Sequence, residues 1–419
     1  MKSCLSIIFL FSFCVLAAQS VEKDFPESFQ IVVSNPLSVA REHVLVVLSP
    51  SQIKTAAQAF NIHAFVVTDG QTEVPSQYNE GDKDHAGIVF VLDKLAASES
   101  RRLTVRYDRK ATRARSYTKR TQAELSYKTA GEWKNREYIG GTFHNTDYLR
   151  VPAEHKDHSW FVRYEGPGWE SDKVGYRFYL DQRNAADVFG KKTTAMVLQE
   201  VGQDGFESYH NPQPWGMDVM KVGKSLGLGS IGALADGKVT RVEKTDSVDC
   251  RVVENGPVFS SLLTRYFGWQ VGSDKHDLRS RLSIHAGTRL TRELLTFTHA
   301  PAMMVTGIVK DKSAKLFTSP GDGQHWAYLA TYGLQSLNSD NLGLVIFFKP
   351  ADVAGFATDE YSEFVKLKIQ DNGAEYYFAA TWSGEPGGIQ NETQFLAYIK
   401  QVSAELSAPV KVKVTSAKP

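Results

Sequence analysis

The stretch His158-Ser-Trp-Phe-Val-Arg-Tyr-Glu-Gly-Pro-Gly-Trp-Glu-Ser-Asp-Lys-Val-Gly-Tyr-Arg-Phe-Tyr-Leu-Asp181 decides how this chain folds. It reads as a β-hairpin with Gly166-Pro167-Gly168 at its turn, because side chains on a strand alternate between faces. In the first arm, Trp160, Val162 and Tyr164 share one face, opposite Phe161, Arg163 and Glu165. In the second, Val174, Tyr176, Phe178 and Leu180 lie opposite Arg177, Tyr179 and Asp181. One face is apolar and suits a core. The other carries two Arg, two acids and a Tyr, a set suited to a carboxylate or a sugar, since the guanidinium fork binds carboxylate bidentately. Salt bridges on a solvated face are the competing reading.

Period-two runs continue outward on both sides. Ile31–Val33, Val44–Leu48, Ala64–Val67, Ile88–Leu92 and Leu103–Tyr107 precede the stretch. Ser260–Tyr266, Arg279–His285, Leu344–Phe348 and Glu375–Thr381 follow it. Short strands between turn residues predict a mainly β protein, a large antiparallel β-sandwich with an N-terminal β-sandwich region and few helices. The clearest helix is Thr393–Leu406, with Phe395, Leu396, Tyr398, Ile399, Val402 and Leu406 on one face and Asn391 or Thr393 as cap. Ile53–Phe60, Arg183–Phe189 and Glu360–Leu367 are weaker helical candidates. A segment rich in Lys and Arg, residues 101–120, marks a soft boundary. The expected organisation is therefore 1–20, 21–120 and 121–419.

Composition narrows the function. The 419 residues carry 48 Lys and Arg against 47 Asp and Glu, so no global field favours nucleic acid or an anionic membrane. Lys2, the apolar run Leu5–Leu16 and the small residues Ala18 and Ser20 read as a signal peptide cleaved after Ser20, with Ala17 or Ala18 as alternatives. The expected location is secreted or periplasmic, without a membrane span. Cys4 and Cys14 leave with that leader. Cys250 then stands alone, a buried strand residue rather than a nucleophile.

A second cluster runs from His210 through Trp215, Asp218 and Lys221 to Lys224. A Trp among polar groups can serve as a sugar platform, and a core Trp is the alternative. His325, beside Trp326, reads as another loop at the cleft. Several motifs fail. Gly223-Lys-Ser225 resembles the end of a phosphate-binding loop, but Asp218 stands where that loop needs Gly. Gly223-Lys-Ser-Leu-Gly227 matches a nucleophile elbow in letters, but Gly229 and Gly232 disfavour the helix it requires. His155 and His158 could supply two metal ligands, but no nearby third completes a site, so no metal ligand is assigned and a bound metal stays open. Asn79–Gly87 is acidic without calcium-loop spacing.

The chain resembles the family called domain of unknown function 4861, secreted bacterial proteins found among polysaccharide-degrading genes. The resemblance rests on Lys119-Arg-Thr-Gln-Ala-Glu124, Asp157-His-Ser-Trp160, Arg163 to Asp172, Gly175-Tyr-Arg177 and Val222-Gly-Lys-Ser225, and spans essentially the whole mature chain. It implies a sandwich like those of polysaccharide lyases and mutarotases. It also implies an activity like the oligosaccharide dehydratases of ulvan breakdown.

Such a reaction takes the C5 proton of a terminal uronic acid and expels the C4 hydroxyl. Cations must neutralise the carboxylate: Arg163, Arg177 or Lys224. His210, His158 or Tyr179 can act as base, and Tyr179, Glu165 or a His as acid. Asp181, Trp215, Asp218, Lys221 and His325 complete the expected substrate contacts, and no organic cofactor is required. An elimination lyase uses the same groups. A glycoside hydrolase needs paired carboxylates instead, Glu165 with Asp181 or Glu170 with Asp218. A non-catalytic carbohydrate-binding protein needs only aromatic platforms.

Overall fold

The computed structural model describes residues 21–110, 114–322 and 324–415. The leader expected over residues 1–20 lies outside them. Among the described residues, no helix is long and apolar enough to cross a membrane. The chain is mainly β, and its strands pair antiparallel. It forms two units. One comprises the described residues up to Lys119 together with those from Ala408 on, the other Arg120–Ser407.

In the first unit, Glu27–Ser34 and Ser100–Tyr107 lie at the centre of a five-stranded sheet, and Arg41–Leu48 pairs with Gly87–Leu95 in a three-stranded one. Phe29, Ile31, Val33, Val46, Phe90, Leu103 and Val105 alternate into a shared core. The last described strand, Lys411–Thr415, pairs with Glu27–Ser34, so the end of the chain returns to this unit. Four arginines of the basic segment form ion pairs within the unit. Arg101 meets Glu99, Arg106 meets Glu22, Arg109 meets Glu27 and Arg115 meets Glu73.

The second unit contains a nine-stranded sheet, two five-stranded sheets and a separate hairpin of Ser126–Lys134 with Glu137–Asn145. One five-stranded sheet runs in the order Gly216–Asp218, Ala186–Lys191, Val174–Phe178, Gly168–Ser171, Thr121–Glu124. Its apolar face packs on the nine-stranded sheet. Trp169 and Tyr176 stack at 5.6 Å, and Tyr176 meets Phe378 edge-on at 5.6 Å. Buried polar tips find partners, as burial requires. Trp169 donates to Thr291 at 2.8 Å, and the Tyr176 hydroxyl donates to the Arg289 carbonyl at 2.6 Å.

The helix is Glu392–Ser407, with Asn391 Oδ1 accepting from the Gln394 amide at 3.0 Å and Phe395, Ile399 and Val402 buried against Ala330, Val345 and Phe347. Two weaker helical expectations fail. Ala186–Lys191 and Ser362–Leu367 are strands, because each completes a ladder with a neighbour. The hairpin is also displaced. Its turn is Asp172-Lys173, between Gly168–Ser171 and Val174–Phe178. The segment read as its first arm is irregular, because His158, Trp160, Tyr164 and Glu165 adopt φ of 58°, 60°, 37° and 71°. Gly166 follows, where a Cβ would lie 1.7 Å from the Phe178 carbonyl oxygen.

Candidate functional site

Register places one set of side chains together on the second face of that five-stranded sheet. Arg177 lies opposite Asp187, Phe189 opposite Asp218, and Gly168 opposite both Arg177 and Glu124. Two glycines on this face, Gly168 and Gly175, leave room for the segments that cover it. A Cβ on Gly168 would lie 2.7 Å from the Tyr164 hydroxyl.

Arg177 is the hub and is 1% exposed. Its Nη2 donates to Asp187 and Asp218, each at 2.8 Å, and to the Tyr179 hydroxyl at 3.1 Å. Its Nε donates to Asp187 at 3.1 Å and its Nη1 to the Tyr209 hydroxyl at 2.9 Å, with Glu165 3.7 Å away. The Tyr179 hydroxyl donates to Asp187 at 2.7 Å. Burial, then the Asp218 charge, raises the pKa of Asp187 against the pull of Arg177. Burial would also raise Glu165, but Arg177 and Arg183 hold it below the ordinary carboxylate value. Burial pushes the Tyr179 phenol well up.

Arg163 does not face a ligand. Its Nη1 donates to the carbonyls of Leu198, Gln199 and Val201 at 3.0, 2.7 and 3.1 Å, and its Nη2 pairs with Glu124. It pins the covering loop to the sheet. Both arginines expected to grip a substrate carboxylate are thus engaged by the protein's own acceptors. Arg183 is engaged too, at 2.8 Å from Asp157, 2.7 Å from Glu165 and 2.5 Å from Asp181. The carboxylate pairs expected of a hydrolase are held likewise. Glu165 and Asp181 share Arg183. Glu170 pairs with Lys191 at 2.5 Å and accepts the amides of Val197 and Leu198 at 2.8 and 2.9 Å, with both side chains fully buried.

Two histidines reach solvent at this cluster. His210, in the short helix Glu207–His210, presents Nε2 at 3.4 Å from Asp218, and that contact raises its pKa. His158 places Nδ1 2.6 Å from Asp157, while its backbone amide donates to Glu165 at 3.1 Å. A continuous run of rings links them. His158 meets Phe206 at 4.9 Å, Phe206 meets Tyr209 at 6.4 Å, and Tyr209 meets His210 at 4.7 Å. Trp160 lies on Phe206 at 4.0 Å, and Trp215, half-buried, packs edge-on to Phe189 at 5.8 Å.

Other expected contacts lie apart. Lys221 and Lys224 are exposed, and Lys224 sits over the Tyr361 ring at 5.6 Å. His325 pairs with Asp322 at 2.9 Å on the surface. These loops follow their own local turns rather than the ladder that gathers the cluster. Glu124, Asp187, Lys191 and Tyr209 belong to the cluster and were missed. The alternation Asp187, Phe189, Lys191 was the available signal for two of them.

Asp157, His158 and Glu165 offer ligand atoms within 4.8 Å of one another. Arg183 already bridges both carboxylates of that group, so a metal would have to displace a fixed cation. His155 is not among them: its Nδ1 lies 2.7 Å from the Ser159 hydroxyl and its Nε2 3.4 Å from the Glu165 carbonyl oxygen.

Fold and site together define a mainly antiparallel β protein with a buried charged cluster opening at two histidines. The chain matches the family described as Domain of unknown function (DUF4861) over residues 33–412 and belongs to it. No curated protein matches the chain. An alpha-mannosidase from Enterococcus faecalis is a similar solved structure at 10% identity and TM-score 0.49, the match covering 95% of this chain and 47% of that one. A protein in glycosyl hydrolase family 38 from the same organism matches at 10% identity and TM-score 0.46, covering 93% and 47%. The chain thus spans about half the length of both. A candidate aldose 1-epimerase from Klebsiella pneumoniae matches at 10% identity and TM-score 0.33, covering 58% and 84%.

Proposed function

We propose that the protein is a secreted or periplasmic carbohydrate-active enzyme that eliminates water from the terminal uronic acid of an oligosaccharide. The observation that carries this reading is the pair of His–Asp dyads, His210–Asp218 and His158–Asp157, on one aromatic rim. An elimination needs one base and one acid on a bound sugar. With Nε2 toward Asp218, the Nδ1 of His210 is the group that takes the C5 proton. The electron pair left behind forms the C4–C5 double bond. His158 protonates the C4 hydroxyl, which departs as water. Asp218 and Asp157 orient the rings, in the manner of a catalytic triad's aspartate. Tyr179, its pKa raised and its proton committed to Asp187, is a positioning group in this scheme. Glu165, held ionised by two guanidiniums, is not the acid.

The test is turnover of uronic-acid-terminated oligosaccharides, followed by ultraviolet absorbance of the new conjugated alkene and by mass spectrometry. The reading expects absorbance with loss of one water and no shortening. Absorbance with shortening would make the reaction a lyase cleavage, and shortening without absorbance a hydrolysis.

A further inference from the structure

A sugar that carries a carboxylate calls for a cation to hold it, since a charge-assisted hydrogen bond is the strongest contact an anion can make. Arg163, Arg177 and Arg183 are all committed to protein acceptors. Lys128, on the strand Ser126–Lys134, is a cation that none of these acceptors engages. Its ammonium lies 5.3 Å from the centre of the Trp160 ring and 5.2 Å from that of Phe143. Trp160 rests on Phe206, the ring that His158 also meets, so one stack of rings connects the ammonium to the proposed acid. Among the described residues, no acidic side chain pairs with it.

The placement is not incidental. The Lys128 amide donates to the Phe161 carbonyl at 2.8 Å, the Tyr138 amide to the Ser159 carbonyl at 2.7 Å, and Tyr127 bridges to Val162. The hairpin is therefore fastened along the segment that carries His158. Trp133, Tyr138 and Phe161 pack beneath it at 5.1 to 5.2 Å. The local field also has a direction. Asp157, Glu165, Asp181, Asp187 and Asp218 outnumber Arg177 and Arg183 on the cluster side. The buried cluster therefore offers a carboxylate no free cation, and the ammonium against the aromatic wall is an attractive pole for it. Partial burial lowers the pKa of Lys128, which an anionic partner would reverse.

We propose that Lys128 is the substrate-binding anchor for the carboxylate of the sugar held at the His158–His210 rim. This rests on the elimination reading above. The test measures binding by calorimetry, and turnover in parallel, for wild type, K128M and K128R. The probes are a uronic-acid-terminated oligosaccharide and the same compound with its carboxyl reduced to an alcohol. Wild type should prefer the acidic probe by about 10- to 100-fold, the scale of one charge-assisted hydrogen bond. K128M should abolish the preference, and K128R should restore most of it. The expected kinetic signature of K128M is a raised KM with kcat little changed. A preference that survives in K128M overturns the anchor. So does a loss confined to kcat, which would place the effect of Lys128 in the transition state rather than in binding. Preferential binding that depends on Lys128 without alkene formation leaves the anchor standing and overturns the elimination. Failure of wild type to bind either probe overturns both.

Discussion

Asp187 and Glu293 are both buried acids of the same unit, 1% and 3% exposed, and they lead opposite lives. Asp187 sits among donors, with Arg177 at 2.8 Å and the Tyr179 hydroxyl at 2.7 Å. Glu293, on the strand Leu290–Phe297, lies in a cavity lined by Phe178, Tyr266, Leu282 and Phe378, with the Ser280 hydroxyl donating to it at 2.7 Å. No cation pairs with it among the described residues. Burial therefore pushes its pKa to about 8. Desolvation acts on both carboxyls, and the presence of a guanidinium decides which is kept as a charge. Charge is retained on the face that opens to solvent at the histidines, while the face buried between sheets holds a proton instead.

The largest test of this contrast removes the hub. Arg177→Met leaves Asp187, Asp218 and Glu165 buried without their shared cation, and should cost about 3–5 kcal/mol. Urea unfolding midpoints measure it, and an unchanged midpoint would break the contrast. Next in size, His210→Ala should lower turnover by about 10²–10⁴-fold, the usual worth of a general base. Because the ring is partly exposed, its melting temperature should stay close to that of wild type.

Glu293→Gln should act in the opposite direction to Arg177→Met and stabilise. The native carboxyl keeps its proton up to about pH 8, while the unfolded chain releases it near 4.5. The unfolded state therefore binds fewer protons between these values, and wild-type stability falls as pH rises through that window. Gln keeps the Ser280 bond without the ionisation. Its advantage should grow to a few kcal/mol by pH 9. Equal pH dependence in both proteins would refute the assignment of Glu293 as the neutral acid. The finest test reads the position of a pH limb, in Asp218→Asn. His210 loses the partner that raises its pKa. A base works only when deprotonated, so the acidic limb of the rate profile should move to lower pH. A limb that stays in place would take Asp218 out of the dyad.

The stretch His158–Asp181 shows where sequence reading succeeds and where it stops. From Val174 onward, alternation put Tyr176 and Phe178 in the core and Arg177 on the other face, as the ladder has them. A strand is a local pattern, and both neighbours supply ordinary partners. Before Gly168 the same alternation of Trp160, Val162 and Tyr164 misled. Left-handed backbone at non-glycine residues leaves no mark in the sequence. It is held by distant groups, Tyr164 donating to Glu124 and Arg163 to carbonyls more than thirty positions later. Likewise His158, His210 and Asp218 were legible as reactive types in a row of letters. Asp187, Tyr209 and Lys128 acquire meaning only from their neighbours in space.

By itself the sequence determined that this is a mainly β chain with an apolar and a charged face on its central strand. It also determined the closing helix, because periodicity is a property of adjacent residues. Tertiary structure alone decided which charges are spent on one another. The two arginines that looked ready for a ligand are saturated because the sheet register sets Asp187 and Asp218 around one and folds the 198–201 loop over the other. Partnership of buried charges depends on distances of a few ångströms between residues far apart in the chain, which spacing along a sequence does not encode.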